Sequence, residues 1–382
     1  MSESTDTYPS LETLCESFRL GGLCMIDRLC DELWVTNRFF GKHLQKALSI
    51  KNQSCVIRIY AAGTLVKFAG YRMSYHYTKL YNEIQQGRVA VLDSGVSTEL
   101  ERQGAPMQDS QWSGRVSIDA FDILVNTHRA YIDAGADIIT VNSYASSRLV
   151  LGDSVNESLI EKINKRNIEA ALEARSKTGA NEVLIAGSIS HQVAWQHLDG
   201  QVKQQIDIPV SKDELEFAFT EMRELFEAGG VDLLLLEMMS IPARAIPLYE
   251  CVSNSTLPVW CGLSAKRQNH KSEITSFHDE TVLFEDNVKT ATLYNFDVMG
   301  VMHTAVDLIS GCNSIIKNYH NGPLMAYPDS GYFQAPNWQF IDIITPQNLL
   351  NFAEIWQKDG VKIFGGCCGL GPEHTGFLSR LK

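Results

Sequence analysis

The chain has 382 residues, of which 45% are hydrophobic and 20% are charged. This length and balance supply enough apolar side chains for a sizeable core, which excludes a disordered or collagen-like chain and a short disulfide scaffold. The formal net charge of -12 argues against a nucleic acid partner, because affinity for phosphate backbones depends on a dense surface of Lys and Arg.

The first 87 residues differ in composition from the rest of the chain. They hold ten Lys and Arg against eight Asp and Glu, whereas residues 88–382 hold 23 against 37. Apolar residues with helical spacing predict a helix within residues 10–48, and the Tyr-rich stretch 55–81 is compatible with strands or a helix. Because no motif here carries chemistry, we expect residues 1–87 to be an N-terminal extension with no assigned function.

From Arg88 onward, short apolar runs alternate with longer amphipathic stretches. Eight runs have the composition of buried strands: 89–92, 137–141, 183–186, 232–236, 258–263, 298–302, 324–327 and 361–364. Helix-like segments between them include 118–134, 157–177, 212–228, 281–294 and 346–358. Apolar strands separated by helices predict a parallel α/β sheet, and eight such units fit a single (β/α)8 TIM barrel over residues 88–382. No GxGxxG fingerprint supports a dinucleotide-binding fold instead.

The nine cysteines are odd in number and irregular in spacing. This usage is typical of reduced thiols with a metal-binding or catalytic subset, and it argues against an oxidised framework. The N-terminus lacks the pattern of a secretory signal, and no apolar run approaches the roughly 18–20 residues of a membrane span. We therefore expect a cytoplasmic protein that does not interact with membranes.

Polar residues close most of the predicted strands, at the end of the barrel where active sites are assembled. In chain order the closing residues are Asp93-Ser94-Gly95, Asn142-Ser143-Tyr144, Gly187-Ser188, Glu237, Ser264, His303, Asp329-Ser330-Gly331 and Cys367-Cys368.

Cys367 and Cys368 form an adjacent thiol pair flanked by glycines. Catalytic zinc sites supply three N or S ligands and leave one position open, so His303 is expected to complete a zinc site with the two thiolates. The alternatives are two buried cysteines at a crowded strand end and a histidine whose hydrogen bonds are satisfied in the core or at the barrel mouth.

Two carboxylates close other strands. Glu237 follows a run of four leucines, where a carboxylate is costly unless it is paired, so we expect it to face a cationic substrate group such as an α-ammonium. The alternatives are an ion pair at the barrel mouth and a helix N-cap. Asp93 precedes a flexible Ser94-Gly95 pair and has either a similar role or a role in forming the turn.

Four segments of the chain resemble the homocysteine S-methyltransferase family. Residues 91–101 are similar to LDGG-x-x-TELE, and residues 136–144 to a second-strand segment ending in Tyr. Residues 232–237 are similar to a fourth-strand segment ending in Glu, and residues 365–374 to GGCCG-x-x-PEH. The resemblance runs from about Arg88 to the C-terminus. It implies a zinc-dependent barrel in which Cys367 and Cys368 bind the metal.

The resemblance also implies the substrates. Glu237 would hold the ammonium group of homocysteine, and Asp93, Ser94, Gly95 and Tyr144 would belong to its binding site. A zinc-bound thiolate would accept a methyl group from a donor of the S-methylmethionine, S-adenosylmethionine or betaine type, giving methionine. No catalytic residue beyond the metal site is expected.

The chain departs from the family pattern at two places. The sixth strand has GVMHT at residues 300–304 where the family has GVNCT, so His303 replaces a third thiolate. We expect this change to make the bound thiolate less electron-rich and so less nucleophilic, or to alter the metal preference. The third strand has GSISH at residues 187–191 in place of GS-x-GP, which leaves the methyl donor open.

Two other functions remain as alternatives. One is a diverged, non-catalytic barrel that binds zinc or an amino acid, and the other is a metal-dependent hydrolase that uses zinc-bound water. The sequence leaves the acceptor thiol and the oligomeric state open.

Overall fold

The computed structural model describes residues 45–51, 54–61, 64–68, 73–107, 111–152, 155–194, 196–198, 201–267, 273–334 and 339–382. The chain divides into two units, Met1–Gly70 and Tyr71–Lys382. In the first unit, β1 (Gln45–Lys51), β2 (Ser54–Ala61) and β3 (Thr64–Phe68) form an antiparallel sheet. The helix predicted within residues 10–48 lies outside the described residues except at its end, which belongs to β1.

The second unit contains a barrel of parallel strands and, in addition, short strands that pair as antiparallel hairpins. Its strands are β4 (Ala90–Val91), β5 (Ile138–Thr140), β6 (Leu184–Ser190), β7 (His197–Leu198), β8 (Gln201–Val202), β9 (Leu233–Met239), β10 (Val259–Leu263), β11 (Ala265–Arg267), β12 (Ile274–Ser276), β13 (Val298–Ala305), β14 (Leu324–Asp329), β15 (Tyr332–Gln334), β16 (Gln339–Ile341) and β17 (Val361–Phe364). Eight of them form one sheet in the order β4-β17-β14-β13-β10-β9-β6-β5. A parallel bridge between Leu92 and Ile138 joins β4 to β5 and closes the sheet. The predicted (β/α)8 barrel is confirmed.

Helices connect and surround these strands. They are α1 (Tyr75–Gln85), α2 (Val96–Arg102), α3 (Val116–Asp119), α4 (Phe121–Asp133), α5 (Arg148–Leu151), α6 (Glu157–Thr178), α7 (Lys212–Gly229), α8 (Pro242–Val252), α9 (Phe284–Thr292), α10 (Ile309–Lys317), α11 (Pro346–Lys358) and α12 (Pro372–Leu378). In α7, capping residues set both limits. Ser211 and Glu214 form a capping box that starts α7, and Gly230 ends it in the left-handed conformation at φ 86°.

The two faces of the barrel strands belong to two different hydrophobic clusters. Side chains such as Val91, Ile139 and Leu234 pack against the surrounding helices. The alternate side chains fill the barrel interior and include Ala90, Leu92, Ile138, Leu184, Leu233 and Leu235. Burial of both faces explains why the strands are almost continuously apolar in sequence.

Helix α1 closes the N-terminal end of the barrel. Its buried residues Tyr77, Leu80 and Ile84 belong to the cluster that fills the barrel interior. The indole Nε1 of Trp260, near the start of β10, donates a hydrogen bond to the Tyr77 hydroxyl at 3.1 Å. The predicted extension ended at Gly87, whereas the structure includes this helix in the unit that holds the barrel. The role of the residues before it stays a prediction.

Three antiparallel hairpins, β7–β8, β11–β12 and β15–β16, lie in the connections that follow barrel strands. The loop after β12 and the β15–β16 hairpin contribute residues to the cavity at the C-terminal ends of the barrel strands. None of the described helices is long and apolar enough to cross a membrane.

Candidate metal and substrate site

A cavity of about 470 Å³ opens at the C-terminal ends of the barrel strands. Its lining includes all eight residues selected from the sequence: Asp93, Ser94, Gly95, Tyr144, Glu237, His303, Cys367 and Cys368. The structure therefore brings residues from five separate stretches of the chain to one place.

Three potential metal ligands lie together on the wall of this cavity. The Sγ atoms of Cys367 and Cys368 are 3.8 Å apart, and the Nδ1 atom of His303 lies 3.5 Å from Cys367 Sγ. The three ligand atoms all lie within 4.8 Å of one another. They form the one group of three or more His, Cys, Asp or Glu side chains with this spacing among the described residues.

The two thiols and the imidazole perturb one another. A hydrogen bond donated by Cys367, together with the nearby His303, lowers the pKa of Cys368 against the effect of burial. The same hydrogen bond and burial raise the pKa of Cys367. Burial lowers the pKa of His303, but the negative charges of Cys368 and Asp329 outweigh it and raise the pKa to about 9. The cluster thus favours a thiolate beside a cationic or metal-bound group.

Close backbone packing holds the loop that carries the two cysteines. A Cβ atom at Gly95 would lie 2.6 Å from the carbonyl oxygen of Cys367, so only glycine allows the loop after β4 to approach this closely. Gly369 has φ 81°, and a Cβ atom there would lie 2.0 Å from the Ser330 carbonyl oxygen. Any larger residue at either position would displace the thiols.

His303 has an unusual backbone conformation near the end of β13. Its φ of 44° is in the left-handed region, which few residues other than glycine adopt, although histidine is among the more tolerant types. The pairing of β13 with β14 shifts register between Met302 and Ala305, around His303. A backbone irregularity of this kind at a strand end is typical of functional sites.

Asp93 is a buried carboxyl, with 2% of its surface exposed. Thr140 donates two hydrogen bonds to it, from the backbone N–H at 2.6 Å and from the hydroxyl at 2.8 Å. Burial nevertheless raises the pKa of Asp93 from 3.8 to about 7. No Lys or Arg of the described residues lies within ion-pair distance of this carboxyl. The Asp93 carboxyl is therefore available to pair with a cationic group of a ligand.

Glu237 is a second buried carboxyl in the cavity. The hydroxyl of Ser188, on neighbouring strand β6, donates a hydrogen bond to it. Burial raises the pKa of Glu237 to about 7, although the hydrogen bond from Ser188 and the charge of His303 act in the opposite direction. Like Asp93, it has no ion pair with a described Lys or Arg, so both carboxyls are suited to binding a cationic ligand group.

The remaining predicted residues shape the cavity wall. The Tyr144 hydroxyl lies 3.3 Å from Met238 Sδ, and the Tyr144 ring stacks on Trp112 with 5.6 Å between the centroids. The Ser94 hydroxyl is hydrogen-bonded to Thr375 Oγ1 at 2.9 Å, which ties the loop after β4 to α12. The substrate-binding roles of these residues stay predictions.

Several residues that support the site had no role assigned from the sequence. Ser188 and Asp329 close strands, so their positions were visible in the sequence, but their partners were not. Thr140 lies within β5, and its contact with Asp93 depends on the closure of the barrel. His278, whose Nδ1 lies 2.8 Å from Ser240 Oγ, enters the cavity from the loop after β12, which carries no strand-end signal.

The chain is similar to several known proteins. Residues 90–381 match the family model described as homocysteine S-methyltransferase. Homocysteine S-methyltransferase 1 of Zea mays is 25% identical over 313 residues, covering 77% of this chain and 94% of the relative. Homocysteine S-methyltransferase YbgG of Bacillus subtilis is 27% identical over 296 residues, covering 74% and 91%.

A solved structure shares the fold. The metallated form of the homocysteine methyltransferase MmuM from Escherichia coli has a TM-score of 0.64 and 21% sequence identity, and the match covers 79% of this chain and 99% of that one. Because the family model covers well over half of the chain, the resemblance noted in the sequence is confirmed. The chain belongs to the homocysteine S-methyltransferase family and is a methyltransferase of that class.

Proposed function

We propose that the cavity binds homocysteine at a zinc ion held by His303, Cys367 and Cys368, and that the enzyme methylates the homocysteine sulfur from a sulfonium or ammonium donor. One observation carries the proposal. The same cavity holds a cluster of three potential metal ligands and two buried carboxyls, Asp93 and Glu237, that form no ion pair with a described Lys or Arg.

The spacing of the ligand atoms supports zinc. In a tetrahedral site with Zn–S bonds of about 2.3 Å and Zn–N bonds of about 2.0–2.1 Å, two sulfur atoms lie about 3.8 Å apart and a sulfur and a nitrogen about 3.6 Å apart. The observed separations of 3.8 Å and 3.5 Å agree with both values. When bound, zinc would deprotonate the homocysteine thiol and keep it nucleophilic at neutral pH.

The two carboxyls would bind the amino acid part of the substrate. The α-ammonium group of homocysteine would pair with the Glu237 carboxylate, which Ser188 holds in place. Asp93, fixed by Thr140, supplies further negative charge to the same cavity. These contacts would orient the sulfur toward the donor methyl group and so reduce the entropic part of the barrier.

The reaction is a direct displacement. The homocysteine sulfur forms a bond to the methyl carbon while the C–S or C–N bond of the donor breaks, and the donor leaves as a neutral sulfide or amine. The thiol proton is released to solvent.

Because both cysteines must stay reduced to bind a metal, we also propose that the enzyme acts in a reducing compartment such as the cytoplasm.

Purified, zinc-loaded protein tests this function. The protein is incubated with homocysteine and, separately, S-methylmethionine, S-adenosylmethionine or betaine, and methionine is quantified. We expect methionine from at least one donor, and loss of both zinc and activity in Cys367→Ser without unfolding.

Two results would contradict the proposal and favour the alternatives drawn from the sequence. Hydrolysis of ester or amide substrates, with no methionine from any donor, would indicate a hydrolase. Tight binding of homocysteine without any product would indicate a non-catalytic binding protein.

A further inference from the structure

The two ring nitrogens of His303 face different groups. Nδ1 lies 3.5 Å from Cys367 Sγ, on the side of the metal-ligand cluster. Nε2 lies 4.0 Å from the Oδ2 atom of Asp329. The imidazole therefore lies between the two thiols and a carboxylate.

The fold sets this arrangement. Asp329 is the last residue of β14, which pairs directly with β13, and the register shift around His303 brings Ala305 opposite Asp329. The side chains of His303 and Asp329 are 18% and 23% exposed, so the surrounding protein screens their interaction less than bulk water would. No described Lys or Arg lies within ion-pair distance of Asp329, which leaves His303 as its partner.

We propose that Asp329 is a positioning residue that orients His303 through Nε2, so that Nδ1 faces the metal, and that it adds a negative charge to the metal site. This inference rests on the zinc site of the proposed function. With two thiolates and a neutral imidazole, the ligands carry a charge of -2, and the carboxylate of Asp329 brings the total of the assembly to -3.

Two physical effects follow from that arrangement. A carboxylate that accepts the second ring N–H of a metal-bound histidine fixes the tautomer and makes the coordinating nitrogen more basic. At 4.0 Å, Asp329 Oδ2 and His303 Nε2 are at ion-pair distance rather than hydrogen-bond distance, so the proposal requires Asp329 to approach the ring by about 1 Å when a metal binds at Nδ1. Loss of such a partner typically weakens metal binding about 10–100-fold. The added negative charge also increases the electron density on a thiolate that shares the metal, which favours methyl transfer.

A double-mutant cycle tests the coupling. The zinc dissociation constant is measured by competition with a chromophoric chelator for the wild type, Asp329→Asn, His303→Cys and the double variant. With His303 present, we expect Asp329→Asn to weaken zinc binding about 10–100-fold. In the His303→Cys background, where there is no imidazole to orient, the same substitution should weaken zinc binding by less than about threefold. Asp329→Ala, which removes the acceptor, is expected to weaken binding at least as much.

Controls make the outcomes distinct. Glu101→Gln removes a carboxylate from the same cavity and should leave zinc affinity unchanged. An unchanged affinity in Asp329→Asn, or the same loss in both backgrounds, would overturn the role of Asp329 while leaving the zinc site intact. If Cys367→Ser does not weaken zinc binding, the metal is bound elsewhere, and both this inference and the proposed zinc site are wrong.

Discussion

Thr140 hydrogen-bonds to both oxygens of the buried Asp93 carboxyl, through its backbone N–H and its hydroxyl. These two bonds fix the carboxyl but do not offset its burial, since its pKa still rises from 3.8 to about 7. Asp93 therefore destabilises the folded chain whenever it is ionised. A residue with this cost is expected to be retained for binding rather than for stability.

Asp93→Asn is expected to stabilise the protein at alkaline pH and to weaken homocysteine binding. The folded state holds the Asp93 proton more tightly than the unfolded state, so the cost of ionisation appears between pH 3.8 and about 7 and is complete above that range. Urea unfolding should show a gain of up to about 4 kcal/mol at pH 8 that disappears toward pH 4. The exposed Asp133→Asn is the control, and an equal gain there would refute the explanation.

The affinity for methionine is expected to depend on pH through Glu237. Methionine has an ammonium group but no thiol, so its binding reports on the carboxyls. Because the pKa of Glu237 is about 7, affinity should fall as the pH decreases from 8 to 6. In Glu237→Gln, affinity at pH 8 should fall about 10–100-fold, with a weaker pH dependence, as measured by calorimetry. Full affinity in this variant would exclude the ammonium contact.

His303→Cys is expected to change the metal preference. Replacing imidazole by thiolate should raise the affinity for zinc relative to nickel and make the bound homocysteine sulfur more nucleophilic. The variant should also lose about 1 kcal/mol of stability, because cysteine tolerates the left-handed backbone at this position less well than histidine. Competition titrations and single-turnover methyl transfer measure these effects. Unchanged metal affinity and rate would contradict them.

His128 is expected to make the fold sensitive to acid. It is fully buried in α4, neither ring nitrogen has a hydrogen-bond partner among the described residues, and burial lowers its pKa to about 4. The unfolded chain binds this proton near pH 6.5, so stability is lost as the pH falls from about 6.5 to 4. His128→Leu should recover about 2 kcal/mol at pH 5 relative to pH 8 in urea unfolding, whereas the less buried His76→Leu should not.

Tyr77 is expected to stabilise the barrel without touching the cavity. Tyr77→Phe removes the hydrogen bond from Trp260 and should cost about 1 kcal/mol, whereas Tyr77→Ala should cost about 3–5 kcal/mol. In both variants the zinc dissociation constant should stay unchanged. A change in zinc affinity would mean that α1 influences the opposite end of the barrel.

The barrel could be predicted because each of its strands is buried on both faces and so appears as an apolar run. The residues at which individual helices and strands begin and end were harder to predict from the sequence. The predicted helix 118–134 is two helices, α3 and α4, separated at Ala120, whose ψ of 55° is not helical. Strand β13 continues through His303 to Ala305, past the end of its apolar run. The hairpins β7–β8, β11–β12 and β15–β16 have strands of two or three residues, which are too short to show the alternating pattern of a strand in sequence.

The grouping of His303, Cys367 and Cys368 could be predicted, because each is a potential metal ligand at a strand end, whereas their metal-binding role stays a prediction. The residues that support them could not, because their roles depend on contacts between strands. Asp329 was visible as a strand-end carboxyl, but its proximity to His303 arises from the pairing of β13 with β14 and a shift in their register. A single sequence carries no signal for that shift.

Helix α1 shows that the folding unit is longer than the segment that sequence comparison recognises. The family match begins at residue 90, yet the side chains of Tyr77, Leu80 and Ile84 already fill the barrel interior. A chain shortened to the matched segment would expose the apolar interior around Trp260 to water and would be prone to aggregate. Expression of the barrel alone should therefore begin no later than Tyr71, where the second unit starts.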